Sequence, residues 1–266
     1  MPSYVVTGAS RGIGLQFVKH LSTDEQNQVF AVVRNKATAN FLHELGRKNV
    51  TIVEADVTDA KALNRAAAEV GKATNNKLDY LINNAGSASF LGWTIDQFPN
   101  SEELEKDLID TFRNNTIAVV HSTNAFLPLL KNGPTKKVLT LSGASGHLGF
   151  TLHANAPGMV SYSIAKAALN MAVAKFAAQY RAEGFVFLSI CPGMVDTTAT
   201  QTAPPSEGAM EELKLLSKGL SSVMPSIPAP ISPEESVKMQ LDVFNSWPAE
   251  RSGEMVSHFG NETRWI

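Results

Sequence analysis

Short apolar runs alternate with helical tracts along almost the whole chain, and this alternation restricts the fold more than any other feature. The runs fall at 4–6, 29–33, 50–54, 78–82, 137–141 and 185–190. Val29-Phe30-Ala31-Val32-Val33 is apolar without a break, as expected of a parallel strand covered on both faces. Helical patterns stand between the runs, and a crossover helix between successive strands makes them parallel neighbours. The predicted fold class is therefore α/β: a doubly wound parallel sheet, Rossmann-like, in a single domain over 1–266. A further run at 254–258 offers a last strand. Ligands of such a sheet bind beyond the carboxyl ends of its strands.

Those ends carry the unusual residues. After Tyr4-Val5-Val6 comes Thr7-Gly8-Ala9-Ser10-Arg11-Gly12-Ile13-Gly14, with glycines spaced G-x-x-x-G-x-G. Glycine permits a tight turn and close backbone approach, and the helix N-terminus that follows favours an anion. The second run ends in Arg34 with no carboxylate at 33 or 34, so Arg34 and Arg11 can converge on one phosphate. That favours NADP over NAD, whose ribose calls for an acid at this place; the alternative is two solvated loop charges. Asp56, after the third run, either meets an adenine amino group or caps the helix expected over 60–72. Asn83-Asn84-Ala85-Gly86 and Ser142-Gly143-Ala144-Ser145-Gly146 are turn formers or ligand contacts, and spacing does not separate the two. Within the helical tract at 101–128, Asn114-Asn115 is an unfavourable pair that something must hold. The Pro- and Ser-rich stretch at 199–231, with a helical patch at 210–216, reads as a lid or binding loop. Ser232-Pro233-Glu234-Glu235 is a helix start.

Tyr162 and Lys166 stand four apart in an Ala-rich tract expected to be helical over 161–182, so they share one face. A phenol has an ordinary pKa of about 10, and lowering it by about three units takes roughly 4 kcal/mol from a neighbouring cation. The pair is a proton-transfer device in outline; at the same spacing many tyrosines and lysines merely pack and hydrate.

Taken together, Thr7 to Gly14, Asp56, Asn83 to Gly86, Asn115, Tyr162 with Lys166, and Pro192-Gly193 followed by Thr197 resemble the single-domain short-chain dehydrogenase/reductases, over nearly the whole chain. Val33-Arg34 makes the likeness strongest to NADPH-dependent carbonyl reductases. The resemblance implies a hydride-transferring oxidoreductase that uses NADP(H) to reduce a ketone or aldehyde. Tyr162 would be the general acid, Lys166 would bind the nicotinamide ribose and lower the Tyr162 pKa, and Asn115 would hold a relay water. The implied cofactor contacts are Gly8, Ser10, Arg11, Gly12, Ile13 and Gly14; Arg34, Asp56 and Val57; Asn84, Ala85 and Gly86; Tyr162 and Lys166; and Pro192, Gly193, Val195 and Thr197. The chain departs from the family at the catalytic serine, where Gly143 stands in the place of the second serine of Ser-Ser-x-x-Gly. Ser142 is taken as the donor to the substrate oxygen, with Ser145 as the alternative.

Composition narrows the remaining choices. A formal charge of −2 and the absence of a basic stripe offer no case for nucleic acid. No apolar run is long enough to span a bilayer and the N-terminus has no leader pattern, so a cytoplasmic protein is expected. The single cysteine, Cys191, leaves no intrachain disulfide, and no Cys/His cluster suggests a metal. The expected partner is a small carbonyl compound, and the resemblance adds a homodimer or homotetramer. Two other functions compete: a regulatory protein that senses NADP(H) without turnover, and an alcohol dehydrogenase working in the oxidative direction.

Overall fold

In the computed structural model, which describes residues 1–201, 203–223 and 226–266, the apolar runs become strands of one sheet. They are β1 (Ser3–Thr7), β2 (Gln28–Val33), β3 (Val50–Glu54), β4 (Tyr80–Asn83), β5 (Lys137–Leu141), β6 (Val186–Cys191) and β7 (Met255–Ser257). All pairings are parallel, in the order β3-β2-β1-β4-β5-β6-β7. The chain winds outward from β1 to β3, then returns to β4 on the other side of β1. The winding reverses between β1 and β4, and it is outside the carboxyl ends of strands at such a point that a sheet of this kind binds its ligand.

Strand side chains alternate between two cores. Val5, Phe30, Val32, Leu81, Val138 and Phe187 point to one face, against α3 (Ala60–Ala73), α5 (Ala118–Asn132) and α7 (Val160–Tyr180). Val6, Ala31, Val33, Ile82, Leu139 and Ile190 point to the other, against α1 (Gly12–Leu21), α2 (Asn40–Leu45) and α9 (Pro233–Ser246). With both faces covered, the strands need no polar side, which is why they read as continuous apolar runs. Among the described residues no helix is long and apolar enough to cross a membrane.

Several boundaries differ from the sequence reading, each for a local reason. The fourth strand begins at Tyr80, since the Leu78 N–H donates to the Leu129 carbonyl and Asp79 accepts from the Ser3 N–H and hydroxyl, both at 2.9 Å. The tract at 101–128 is divided into α4 (Ser101–Phe112), a π-helical turn (Arg113–Ile117) and α5. Pro128 does not end α5, which continues to Asn132 at the sacrifice of a single N–H bond. Between β5 and α7 lies α6 (Leu148–His153). The helical patch expected at 210–216 is a full helix, α8 (Glu207–Ser221), capped by Ser206. Thr202, Met224 and Pro225, which belong to the expected lid, lie outside the described residues.

Candidate active site

The glycine turn is closed from three sides. Thr7 Oγ1 accepts from the N–H groups of Asn84 and Ala85, each at 3.1 Å, and Asn84 Nδ2 donates to the carbonyls of Thr7 (2.9 Å) and Gly8 (3.1 Å). The Asn84 amide therefore welds β4 to the turn. Gly8, at φ +66°, could not carry a side chain, because a Cβ would lie 2.8 Å from the Ala85 Cα. At the start of α1 the Gly12 N–H donates to Thr200 Oγ1 at 2.9 Å. Thr200 is a contact the sequence did not single out; its hydroxyl oxygen accepts where an anion is expected. Ser10 and Ile13 are part-exposed on the same turn.

Arg11 and Arg34 are exposed, and neither forms an ion pair among the described residues. Asp56 does not cap α3: that role falls to Asp59, whose Oδ1 accepts from Lys61 N (2.8 Å) and Ala62 N (3.2 Å). Asp56 instead accepts from the Thr58 N–H (2.8 Å) and hydroxyl (2.7 Å). Burial raises its pKa, but those bonds together with Arg34 and Arg113 outweigh it, so the carboxyl stays below its ordinary value. Val57 packs on the α3 core beside it.

Tyr162 and Lys166 do share a face of α7, with Lys166 Nζ 5.4 Å from the Tyr162 ring centroid and donating to the Leu141 carbonyl at 2.8 Å. Lys166 is only 4% exposed, and burial lowers its pKa to about 8. Burial, aided by Cys191, pushes the Tyr162 phenol upward. Burial thus acts on the two groups in opposite directions, disfavouring the phenolate of one and the ammonium of the other. The neighbouring Cys191 thiol is also raised by burial, although its sulfur takes the N–H groups of Gly193 and Ala144.

The irregularity at Asn114-Asn115 is the π-turn itself. Asn115 Nδ2 donates to the Thr111 carbonyl four residues back (3.0 Å) and to the Ser87 carbonyl (2.6 Å), while Thr116 Oγ1 donates to the Ala165 carbonyl on α7 (2.8 Å). These bonds hold the bulge. They leave Asn115 Oδ1 buried with no hydrogen-bond partner among the described residues. The point that a Cβ on Gly86 would occupy is 2.7 Å from that oxygen and 3.6 Å from Lys166 Nζ, so amide, ammonium and bare backbone converge.

The two serines differ. Asn170 Nδ2 donates to the Gly146 carbonyl (3.3 Å), which orients its Oδ1 toward Ser142, and the Ser142 hydroxyl donates there at 2.7 Å. The single Ser142 proton is therefore committed. Ser145 lies on the other side of Gly143: a Cβ at Gly143 would be 3.3 Å from the Tyr162 hydroxyl and 3.7 Å from Ser145 Oγ.

After β6, Ile231 N donates to the Met194 carbonyl and Asp196 N to the Ile231 carbonyl, both at 2.9 Å. This bridge turns the N–H and C=O of Val195 to the opposite edge. The Pro192 carbonyl accepts from Ser236 Oγ at 2.7 Å, and Gly193, at φ +84°, lies against the buried His258 ring. Thr197 reaches back to the glycine turn, its methyl 3.5 Å from where a Cβ on Gly12 would be.

A family model described as short chain dehydrogenase matches residues 3–208. A short-chain dehydrogenase/reductase of Arthrinium sp and a short chain dehydrogenase of Hypocrea virens are each 40% identical to the chain, with both partners covered over their full length. Among solved structures, NADPH-bound carbonyl reductase from chicken fatty liver superposes with a TM-score of 0.79 at 30% identity, covering 100% of this chain and 99% of that one. The carbonyl reductase Sniffer of D. melanogaster gives 0.77 at 25% identity, covering both chains entirely.

Proposed function

Because the chain belongs to the short chain dehydrogenase family of oxidoreductases, we propose that it reduces a ketone or aldehyde to the alcohol with NADPH. The observation that carries the reading is the convergence of Tyr162, Lys166 and the unpartnered Asn115 Oδ1 beside the bare backbone of Gly86. A bound nicotinamide would supply the hydride. The glycine turn, the free edge of Val195 and the hydroxyl of Thr197 fit such a cofactor, as do Pro192 and Gly193 that shape this loop. Two exposed arginines, Arg11 and Arg34, without an ion pair among the described residues, favour a 2′-phosphate. That the chicken carbonyl reductase binds NADPH supports the same choice.

The raised pKa of Tyr162 keeps its proton in place until the substrate oxygen gains negative charge, and the Lys166 ammonium then stabilises the phenolate left behind. Asn115 Oδ1 would hold a water that returns the proton from solvent. With the Ser142 hydrogen given to Asn170, the donor that steadies the substrate oxygen is assigned to Ser145.

The test is oxidation of NADPH, followed by absorbance, over a panel of aldehydes, ketones and diones. Turnover is expected with NADPH in preference to NADH, and Tyr162→Phe should bind NADPH normally while losing on the order of 10²-fold or more in kcat. Tight NADPH binding without turnover on any carbonyl would favour the sensor reading, which the bare Gly143 supports. Turnover confined to alcohols with NADP would favour the oxidative direction.

A further inference from the structure

The two segments that border the catalytic groups meet on one carboxylate that the reaction does not use. The first runs over 87–100 and leaves from Gly86, beside Asn115 and Lys166. The second, over 154–159, feeds directly into α7, three residues ahead of Tyr162. Glu212, on α8 and only 4% exposed, accepts the Met159 N–H on Oε2 at 2.9 Å and the Gly92 N–H on Oε1 at 3.3 Å.

The contact is built from both sides. A Cβ at Gly158 would press on Glu212 Oε2, so a side chain there would push the carboxylate aside. On α8 itself, a Cβ at Gly208 would strike the Phe90 carbonyl and one at Gly219 the Ala154 carbonyl, so the helix backbone rests on both segments. Met159 takes a left-handed conformation, φ +54°, to present its N–H. Leu216 and Leu220 of α8 pack with Ala144, Phe150 and Cys191, and Cys191 lies beside Tyr162.

A carboxylate at this position is expensive. No lysine or arginine pairs with it among the described residues, and burial raises its pKa against the pull of the two N–H groups. A leucine would fill the space without that penalty. What the carboxylate does, and an apolar side chain would not, is join two main-chain segments that share no strand or helix.

We propose that Glu212 is a positioning residue of the substrate site: a single carboxylate that sets the spacing between the 87–100 loop and the 154–159 turn, and so the width of the opening beside Tyr162. The inference rests on the reductase reading only in treating that opening as the place of the substrate. It makes α8 a wall of the site within the stretch that the sequence read as a lid or binding loop.

The experiment pairs amide hydrogen exchange with steady-state kinetics on full-length protein. In Glu212→Gln, which retains one acceptor oxygen, the amides of Gly92 and Met159 should exchange about tenfold faster, as expected on weakening a hydrogen bond to a charged group. KM for the carbonyl substrate should rise about tenfold with kcat changed less than about twofold, the signature of lost ground-state positioning. NADPH affinity should be unaltered. Should Glu212→Gln fail to fold, Gly158→Ala displaces the carboxylate from the other side and should show the same pattern. Unchanged exchange at both amides overturns the clamp, and faster exchange with unchanged KM overturns its role at the substrate site. Absence of any carbonyl turnover in the wild type instead defeats the reductase reading, and the exchange data then decide the clamp alone.

Discussion

At the scale of single residues, the site depends on which protons are already committed. Ser142 and Ser145 are both small hydroxyls near one strand end, and their sequence positions cannot rank them. The ranking comes from Asn170, 28 residues from Ser142, whose oxygen receives the Ser142 hydrogen. Ser145→Ala should therefore lower kcat by about 10²-fold, on the scale of removing one donor to a developing oxyanion, and Ser142→Ala by far less; steady-state rates at saturating NADPH check this, and the reverse ranking would return the role to Ser142. Under the proposed mechanism Lys166 sets the pH response. Its folded pKa is lowered to about 8 from 10.5, so the ammonium is lost as pH rises through about 8. The kcat/KM for reduction should fall across that window, and a profile flat to pH 10 would mean that the charge is not needed. The stability sign is opposite: between about 8 and 10.5 the unfolded chain holds a proton that the folded chain lacks, so this residue contributes increasing stability as pH rises.

At the scale of elements, local chemistry was legible where the bonds are local. Ser232-Pro233-Glu234-Glu235 announced α9 because a cap acts within three residues, and Ser232 Oγ does accept from Glu235 N at 3.1 Å. The same physics selects Asp59 over Asp56 at the start of α3, a choice of one turn's phase that composition does not resolve. Asp59→Ala should lower stability by about 1 kcal/mol in urea unfolding, with Asp56→Ala showing no comparable loss of cap stability. Asn114-Asn115 was legible as an anomaly, since amides disfavour a helix interior. Its form as a π-turn was not, because the bonds that hold it come from Ser87 and from Ala165 on α7. The extent of α8 was hidden for a related reason: Gly208 and Gly219 weaken the helical pattern, and they are there to let the helix lie against other backbone.

At the scale of the whole molecule, four exposed apolar side chains fall on three elements next to the candidate site. Ile117 of the π-turn and Ile164 of α7 are exposed on the elements that bear Asn115 and Tyr162, and Ile109 and Phe112 are exposed on α4, which runs directly into the π-turn. We propose that copies of the chain pair through these elements as a homodimer or homotetramer. Sedimentation should show an oligomer that Ile109→Arg with Ile164→Arg converts to monomer, and a monomeric wild type would refute the pairing. The α/β class, the parallel sheet, the strand sequence and the family were determined by the amino-acid sequence alone, because strand burial on both faces, glycine at tight turns and the four-residue spacing of Tyr162 and Lys166 are properties of neighbouring residues. That Ser142 gives its hydrogen to Asn170, that Lys166 is withdrawn from water onto the Leu141 carbonyl, and that Glu212 gathers two distant amides were decided only by the tertiary structure. Each is a competition for hydrogen bonds or for solvent between groups far apart in the chain, and such a competition has no outcome until the fold brings its members together.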